Sequence, residues 1–227
     1  MGADARAETI RYHEALYRHD DGGSDWLRHP SQFVLDAAGR LPDRPVTVWD
    51  LGCGIGRHAV PVAALLRAGS RVIGVDLLPV AVEGLREAAR AAGVADRVET
   101  RTTDLGELEL DVPADLMIGV SALEHVGGEG RLEALLRRCR AATKPGGLHC
   151  WIFFTDRSEV CRDGHRRPAR LERSLTRAGT DRLLAEGYAG WEVLQHDTEP
   201  YGVEETRGHE SYRLVGTADR FLARRPG

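Results

Sequence analysis

The sequence predicts an α/β domain: a mostly parallel sheet with helices on both faces and a helical cap ahead of the first strand. Three observations lead there. Short apolar runs alternate with helix-period patterns from about residue 45 to 155, a G-x-G-x-G turn directly follows the first run, and two more strand-like runs come after residue 190. Strands alternating with helices imply parallel pairing through right-handed crossovers.

The elements follow in order. Residues 6–40 carry helical patterns with Tyr12, Leu16, Tyr17, Trp26, Phe33 and Leu35 as anchors. VTVWD (46–50) is a short apolar run that ends in glycines, as a buried strand does. A helix follows from about 57, with Pro61 tolerated in its first turn. RVIGVD (71–76) is the second strand, and the next helix opens at Pro79, carries Val82, Leu85, Ala89 and Ala92 on one face and stops at Gly93. VETRTTD (98–104) and DLMIGV (115–120) fit the third and fourth strands. A helix with Leu132, Leu135, Leu136 and Cys139 at i, i+3, i+4, i+7 then leads through a KPGG turn (144–147) to a fifth strand, LHCWIFF (148–154). Residues 157–174 are polar and arginine-rich and read as a loop or short helix. Thr180 is expected to cap a helix ending at Gly187, before strands at 191–199 and 212–223.

Bulk properties bound the function. A chain of 227 residues suits one α/β domain that buries roughly 70–75% of its unfolded surface. A net charge of −4 points away from nucleic acid and anionic membrane as partners. No apolar run approaches the roughly 18 residues that span a bilayer, and the polar first residues do not read as a signal peptide, so the expected location is cytoplasmic. Cys53, Cys139, Cys150 and Cys161 show no metal spacing and are expected to be reduced thiols. Lys144 is the single lysine beside thirty arginines, a bias of coding and not a functional signal.

The turn D-L-G-C-G-I-G at 50–56 carries the chemistry. Glycine is needed where the chain reverses from strand to helix while its backbone passes close to a ligand, and a ligand there lies at the carboxyl edge of the sheet. Asp76 ends the second strand, where a carboxylate can accept both hydroxyls of a ribose. A nicotinamide-binding fingerprint would read G-x-G-x-x-G and receive a pyrophosphate on helix amides. Here the spacing of Gly52, Gly54 and Gly56 is tighter, and Asp50 would repel a pyrophosphate but suit an ammonium group. A nicotinamide-dependent oxidoreductase is therefore the alternative, and an inert tight turn the plain structural one.

With these residues in place, the chain resembles the class I S-adenosylmethionine-dependent methyltransferases. D-x-G-x-G-x-G resembles their first motif, GVDLLPVAVEGLREAA their second strand and helix, and ADLMIGVSALEHV and KPGGLHCWIFF their fourth and fifth strand segments. The resemblance covers about residues 45–155. It implies a Rossmann-like sheet of seven strands with the last antiparallel, and S-adenosylmethionine as cofactor, with S-adenosylhomocysteine as product. It places Asp76 and Leu77 at the ribose and Asp104 and Leu105 at the adenine, Asp104 toward the exocyclic amine. Asp50, Gly52, Cys53, Gly54, Gly56 and Ser121 complete the implied cofactor set. A cofactor-binding protein without transferase activity fits the same resemblance.

The flanks resemble a particular branch. SDWLRHPSQFVLDAAGRLP, LLAEGYAGWEVLQHDTE and RFLARR are similar to the tellurite-resistance and thiopurine-type enzymes, which implies a small soft nucleophile as acceptor. Arg207, His209 and Arg213 do not match that branch's active-site spacing, and 157–174 is longer than in it. L-E-H-V (123–126) is instead common in enzymes acting on quinols, phenols and other metabolites. Relatives that bind a divalent metal carry a carboxylate where this chain has Ser121, so no metal is expected.

The expected reaction is in-line methyl transfer to a small-molecule acceptor, in which the protein supplies alignment and excludes water. His125, after the fourth strand, is the candidate general base, since imidazole titrates near neutral pH; packing beneath the cofactor is its plainer role. Glu124 reads as structural or cofactor-facing, His58 as a helix-start residue that could reach the site, and Cys53 as small packing. The loop after the fifth strand offers Thr155, Asp156, Cys161, His165 and arginines at 157, 162, 166, 167, 170 and 173. That cluster suggests an anionic acceptor, or merely a solvated face.

Overall fold

A computed structural model describes residues 2–18, 29–169, 173–207 and 210–227. Helices α1 (Gly2–Arg18) and α2 (Gln32–Ala38) precede β1 (Thr47–Leu51), α3 (Ala59–Leu65), β2 (Arg71–Asp76), α4 (Pro79–Ala91), β3 (Val98–Thr102) and β4 (Ala114–Val120). Then come α5 (Arg131–Ala142), β5 (Thr143–Cys161), β6 (Arg166–Pro168), α6 (Arg177–Gly187), β7 (Glu192–Arg207) and β8 (Glu210–Arg224). The strand order is β3-β2-β1-β4-β5-β8-β7, with β6 paired to the far end of β5. β1 to β5 are mutually parallel, and β8 is antiparallel to both its neighbours β5 and β7. This is the Rossmann-like sheet expected, enlarged by the small β6.

The core explains the apolar runs. Every residue of β1 is buried, as in a strand covered on both faces. One face packs on α2, α3 and α4 through Phe33, Val34, Val62 and Leu85. The other packs on α5 and α6 through Trp49, Trp151, Phe153, Phe221 and Leu184. Leu132, Leu135, Leu136 and Cys139 are all fully buried, as their spacing predicts. Of the N-terminal anchors, Phe33 is in the core and Leu35 packs against it, while Trp26 falls outside the described residues.

Four sequence expectations need correction. The KPGG segment is not a separate turn. It lies within β5, where the register against β4 shifts between Ala114 and Leu116 and Gly146 takes φ 76°. Residues beyond 155 do not leave the sheet: β5 continues to Cys161, reverses at Gly164 (φ 83°) and returns as β6. β7 likewise runs on to Arg207 instead of stopping near 199. Finally, the cap of α6 is Thr176, in extended conformation and accepting the Gly179 N–H at 3.1 Å, whereas Thr180 sits buried inside the helix.

Lys144 has a structural task. Its ammonium lies 2.6 Å from Asp115, whose carboxylate also accepts the Thr47 N–H at 2.8 Å and the Arg44 guanidinium at 2.9 Å. Three strand starts are thus tied at the edge of the sheet opposite the glycine turn.

A buried polar chain joins α5, β5 and the end of α6. Thr143 Oγ1 donates to Cys139 O at 2.7 Å, so it accepts from His149 Nε2 at 2.7 Å. His149 Nδ1 then accepts from the Tyr188 hydroxyl at 2.6 Å, whose oxygen also receives the Trp151 indole N–H. Every member is satisfied only while the imidazole is neutral. Burial accordingly pushes His149 down to about 3. Between about pH 6.5 and 3 the unfolded chain binds this proton and the folded chain does not, so falling pH removes stability across that window. In urea unfolding, the loss between pH 7 and 5 should shrink by about 2 kcal/mol in His149→Gln; an unchanged pH dependence would remove this assignment.

Candidate active site

The carboxyl ends of the parallel strands converge under α1. The turn after β1 hangs on β2, with the Gly52 and Cys53 N–H groups both donating to Val75 O at 2.8 and 2.9 Å. Gly52, Gly54 and Gly56 take φ of 73°, 53° and 96°. A Cβ on Gly52 would lie 2.3 Å from the Ala122 Cβ, and one on Gly54 would lie 3.1 Å from the Tyr17 hydroxyl. The first glycine is therefore required by both backbone sign and close approach. Asp76 locks the same turn: its carboxylate accepts the Gly54 and Leu78 N–H groups, each at 2.9 Å. Burial nonetheless holds Asp76 above the usual carboxylate range, opposed by those N–H groups.

Two cavities open side by side here and share Thr9, His13, Tyr17, Gly52, Ser121 and His125. The first of them, walled by Asp76, Leu77, Leu78, Asp104, Leu105 and Ala122, is closed by Arg6, Ile10 and His13 of α1. The second, of about 170 Å³, is walled by Cys53, Gly54, Arg57 and His58 on one side. Its other side is the extended hairpin region: Phe154, Arg157 and Glu159 of β5, Tyr201, Val203 and Glu205 of β7, and Tyr212 and Leu214 of β8.

The predicted residues divide between these cavities and the scaffold behind them. Gly52, Cys53, Gly54, Asp76, Leu77, Asp104, Leu105, Ser121 and His125 all line one or both. Asp50 and Gly56 do not. Asp50 is 1% exposed, takes the Ala59 N–H and faces Arg57; burial pushes its carboxyl up to about 7 although Arg57 opposes the rise. One of its oxygens has no hydrogen-bond partner. Asp50 thus braces the turn and positions Arg57, which does reach the cavity. Burial and the carboxylates of Asp50 and Asp76 hold the Cys53 thiol well above its ordinary range, in keeping with packing.

Asp104 is already engaged. Its Oδ1 accepts the Gly106 N–H at 2.7 Å and its Oδ2 the Arg6 guanidinium at 2.5 Å. Burial opposes ionisation, but Arg6 and the N–H keep Asp104 below the usual carboxylate range. An adenine amine at this carboxylate would share it with Arg6.

The end of β4 is strained. Ser121 adopts φ 52° before a single 3-10 turn, Leu123–His125, and strain at non-glycine residues gathers at functional sites. Glu124 points inward and meets the Arg157 guanidinium at 3.6 Å, their side chains 0% and 6% exposed. Burial raises Glu124 despite Arg157. His125 is pushed down to about 3, first by burial and then by His13, Arg157 and Arg6. It is a neutral imidazole throughout the physiological range, a poor proton store but an able hydrogen-bonding group. His58 occupies the start of α3 without capping it, faces the second cavity and is likewise pushed down to about 3.

The arginine cluster disperses. Arg157 meets Glu124, Arg167 binds Glu159 and Glu210 at 2.7 Å each, and Arg173 meets Glu133 at 3.1 Å. Arg162 and Arg166 are exposed on the hairpin, while Arg170 and His209 fall outside the described residues. No anion-binding group of arginines forms among the described residues. The sole metal-capable group found among them, Asp181, His196 and Asp219, lies beside α6 away from both cavities, with Arg177 bound to Asp181 at 3.1 Å.

Residues 48–147 match a family model described as a methyltransferase domain. Over that stretch the chain is similar to methyltransferase domains. Curated relatives include a ribosomal protein L11 methyltransferase of Serratia proteamaculans, 36% identical over 50% of this chain and 33% of that protein. Another is a ubiquinone biosynthesis O-methyltransferase of Rhodopseudomonas palustris, 32% identical over 51% of this chain and 46% of that one. The chain thus spans a third to a half of the length of the relatives it matches. Among solved structures, TehB from Haemophilus influenzae superposes with a TM-score of 0.65 and 20% identity, over 85% of this chain and 61% of that one. The 1,6-didemethyltoxoflavin-N1-methyltransferase of Burkholderia thailandensis, solved with 1,6-didemethyltoxoflavin and S-adenosylhomocysteine, gives 0.61 at 20% identity over 100% and 91%. At that identity the likeness is one of fold.

The sequence left Arg6, Thr9 and His13 of α1 and the inner face of the β7–β8 hairpin unread. The hairpin did carry a signal: Tyr201, Val203 and Glu205 alternate at period two, as do Tyr212 and Leu214. The cradle also generates a test. Gly52→Ala should lower unfolding stability by roughly 1–3 kcal/mol for the left-handed backbone alone, and adding Ala122→Gly should recover the further loss due to the clash. No recovery in calorimetric scans would mean that the Ala122 contact does not constrain the turn.

Proposed function

We propose that this protein is an S-adenosylmethionine-dependent methyltransferase acting on a small-molecule acceptor in the cytoplasm. One observation carries the reading: two cavities, one acid-edged and one walled by aromatic and polar side chains, meet at a shared seam beneath α1. The residues present fit the cofactor. Asp76 would hold the ribose hydroxyls and Asp104 and Leu105 the adenine. The glycine cradle would hold the methionine part, with the unpartnered Asp50 oxygen behind it. When bound, the cofactor would supply an electrophilic methyl group, taken in line by an O, N, S or chalcogen nucleophile with S-adenosylhomocysteine as the leaving group. The matched domain makes a nicotinamide-dependent oxidoreductase the weaker reading.

The chain's own contribution is alignment and exclusion of water. Helix α1 covers the seam through Thr9, His13 and Tyr17. Ser121 and His125 sit where the two cavities join, and the neutral imidazole of His125 orients the acceptor by hydrogen bonding. The enclosure by α1 and the hairpin supports a small acceptor over a folded protein chain.

Calorimetry should show binding of S-adenosylhomocysteine and not of NAD. Asp76→Ala should weaken it at least about tenfold, or 1.4 kcal/mol; unchanged affinity would remove the ribose assignment. Methyl-labelled S-adenosylmethionine supplied with thiols, catechols, amines, iodide, selenite and tellurite should yield a labelled acceptor. With that acceptor, His125→Ala should lower kcat by up to about 100-fold. The wild-type pH profile should show no titration of His125 between pH 5 and 8; an inflection near 6.5, lost in His125→Ala, would instead assign His125 the general-base role.

A further inference from the structure

The second cavity extends well beyond the seam, and its far half has a chemistry of its own. Alternate residues of adjacent strands form its wall: Glu159 of β5 lies opposite Leu214 of β8, which pairs Val203 of β7, and Tyr212 pairs Glu205. At the seam end, Phe154 and Tyr201 stack with ring centroids 4.1 Å apart. Glu205 lies four residues beyond Tyr201, roughly 13 Å along the strand.

Charge along this wall is uneven. The two arginines near the seam each face a buried carboxylate, Arg57 toward Asp50 and Arg157 toward Glu124. At the far end the balance reverses. Arg167 is shared by Glu159 and Glu210, and Glu205 accepts the Tyr212 hydroxyl at 2.8 Å and forms no ion pair among the described residues. The outer face of the same hairpin is different, since Glu204 there is paired with Arg213. An aromatic throat leading to a carboxylate that pairs with no cation among the described residues attracts an aromatic molecule with a positively charged end.

Resting on the methyltransferase reading, we propose that the acceptor is an arylalkylamine, a molecule with an aromatic ring and an alkylammonium end. Its ring lies against Phe154 and Tyr201, and a cationic nitrogen, distinct from the methylated atom, reaches Glu205. Glu205 is then the residue that selects for charge, and Tyr212 the one that orients its carboxylate.

The test uses the full chain saturated with S-adenosylhomocysteine and three probes of one shape: 2-phenylethylamine, 2-phenylethanol and phenylacetate. Binding is ranked by saturation-transfer NMR and titration. The amine should bind at least about tenfold more tightly than the alcohol, and phenylacetate most weakly. Glu205→Gln should abolish the preference for the amine and leave the alcohol unchanged. Glu204→Gln, the same charge change on the outer face, should leave the ranking intact. The wild-type ranking alone can overturn the proposal, whatever the folding of the variants. Tightest binding of the alcohol or the acid, an equal response to both substitutions, or no binding of any probe would do so. Failure of S-adenosylhomocysteine itself to bind would instead overturn the methyltransferase reading.

Discussion

The grip of β2 on the turn after β1 is the constraint on which the rest depends. Val75 O receives two successive N–H groups of that turn, and the Asp76 carboxylate receives a third. These bonds hold three residues in left-handed conformation and press Gly52 against Ala122 at the end of β4. No side chain fits between, so β1, β2 and β4 meet with bare backbone at their carboxyl edge. The space left above them is the seam that both cavities share. The strained Ser121 lies directly beside this contact, where β4 must turn away at once.

A second pattern is the pairing of buried charge around that space. Asp50 with Arg57, Glu124 with Arg157 and Glu159 with Arg167 each place a carboxylate against a guanidinium in partly or wholly dry surroundings. Such pairs seldom add much net stability, because desolvation consumes most of their attraction. What they provide here is placement: Asp50 and Glu124 fix Arg57 and Arg157 at the wall of the second cavity, and Glu159 holds Arg167 outside its lining. The histidines follow the same logic, His58 and His125 being kept neutral by burial. The walls are therefore polar, with their charged groups held by their own partners.

The order of elements through β5 was legible because its signals are local. Apolar runs of five to seven residues, a helix stripe at i, i+3, i+4, i+7 and the glycine spacing are each set by neighbours in the chain. The first cavity was legible too, since most of its walls come from strand ends within one stretch of sequence. The second was not. Residues 157–161 look like loop because they are polar, and they are polar because alternate side chains face a cavity.

Local chemistry thus determined the strand–helix alternation, the glycine cradle and the carboxylates along the edge. Tertiary structure alone decided which charges meet. Arg6 lies 98 residues from Asp104, Arg157 lies 33 residues from Glu124, and Tyr201 stacks on Phe154 across two strands. It also decided that the arginines disperse among carboxylates and that His125 is neutral. Burial and partners set those properties, and both depend on chain segments that are distant in sequence and adjacent only after folding.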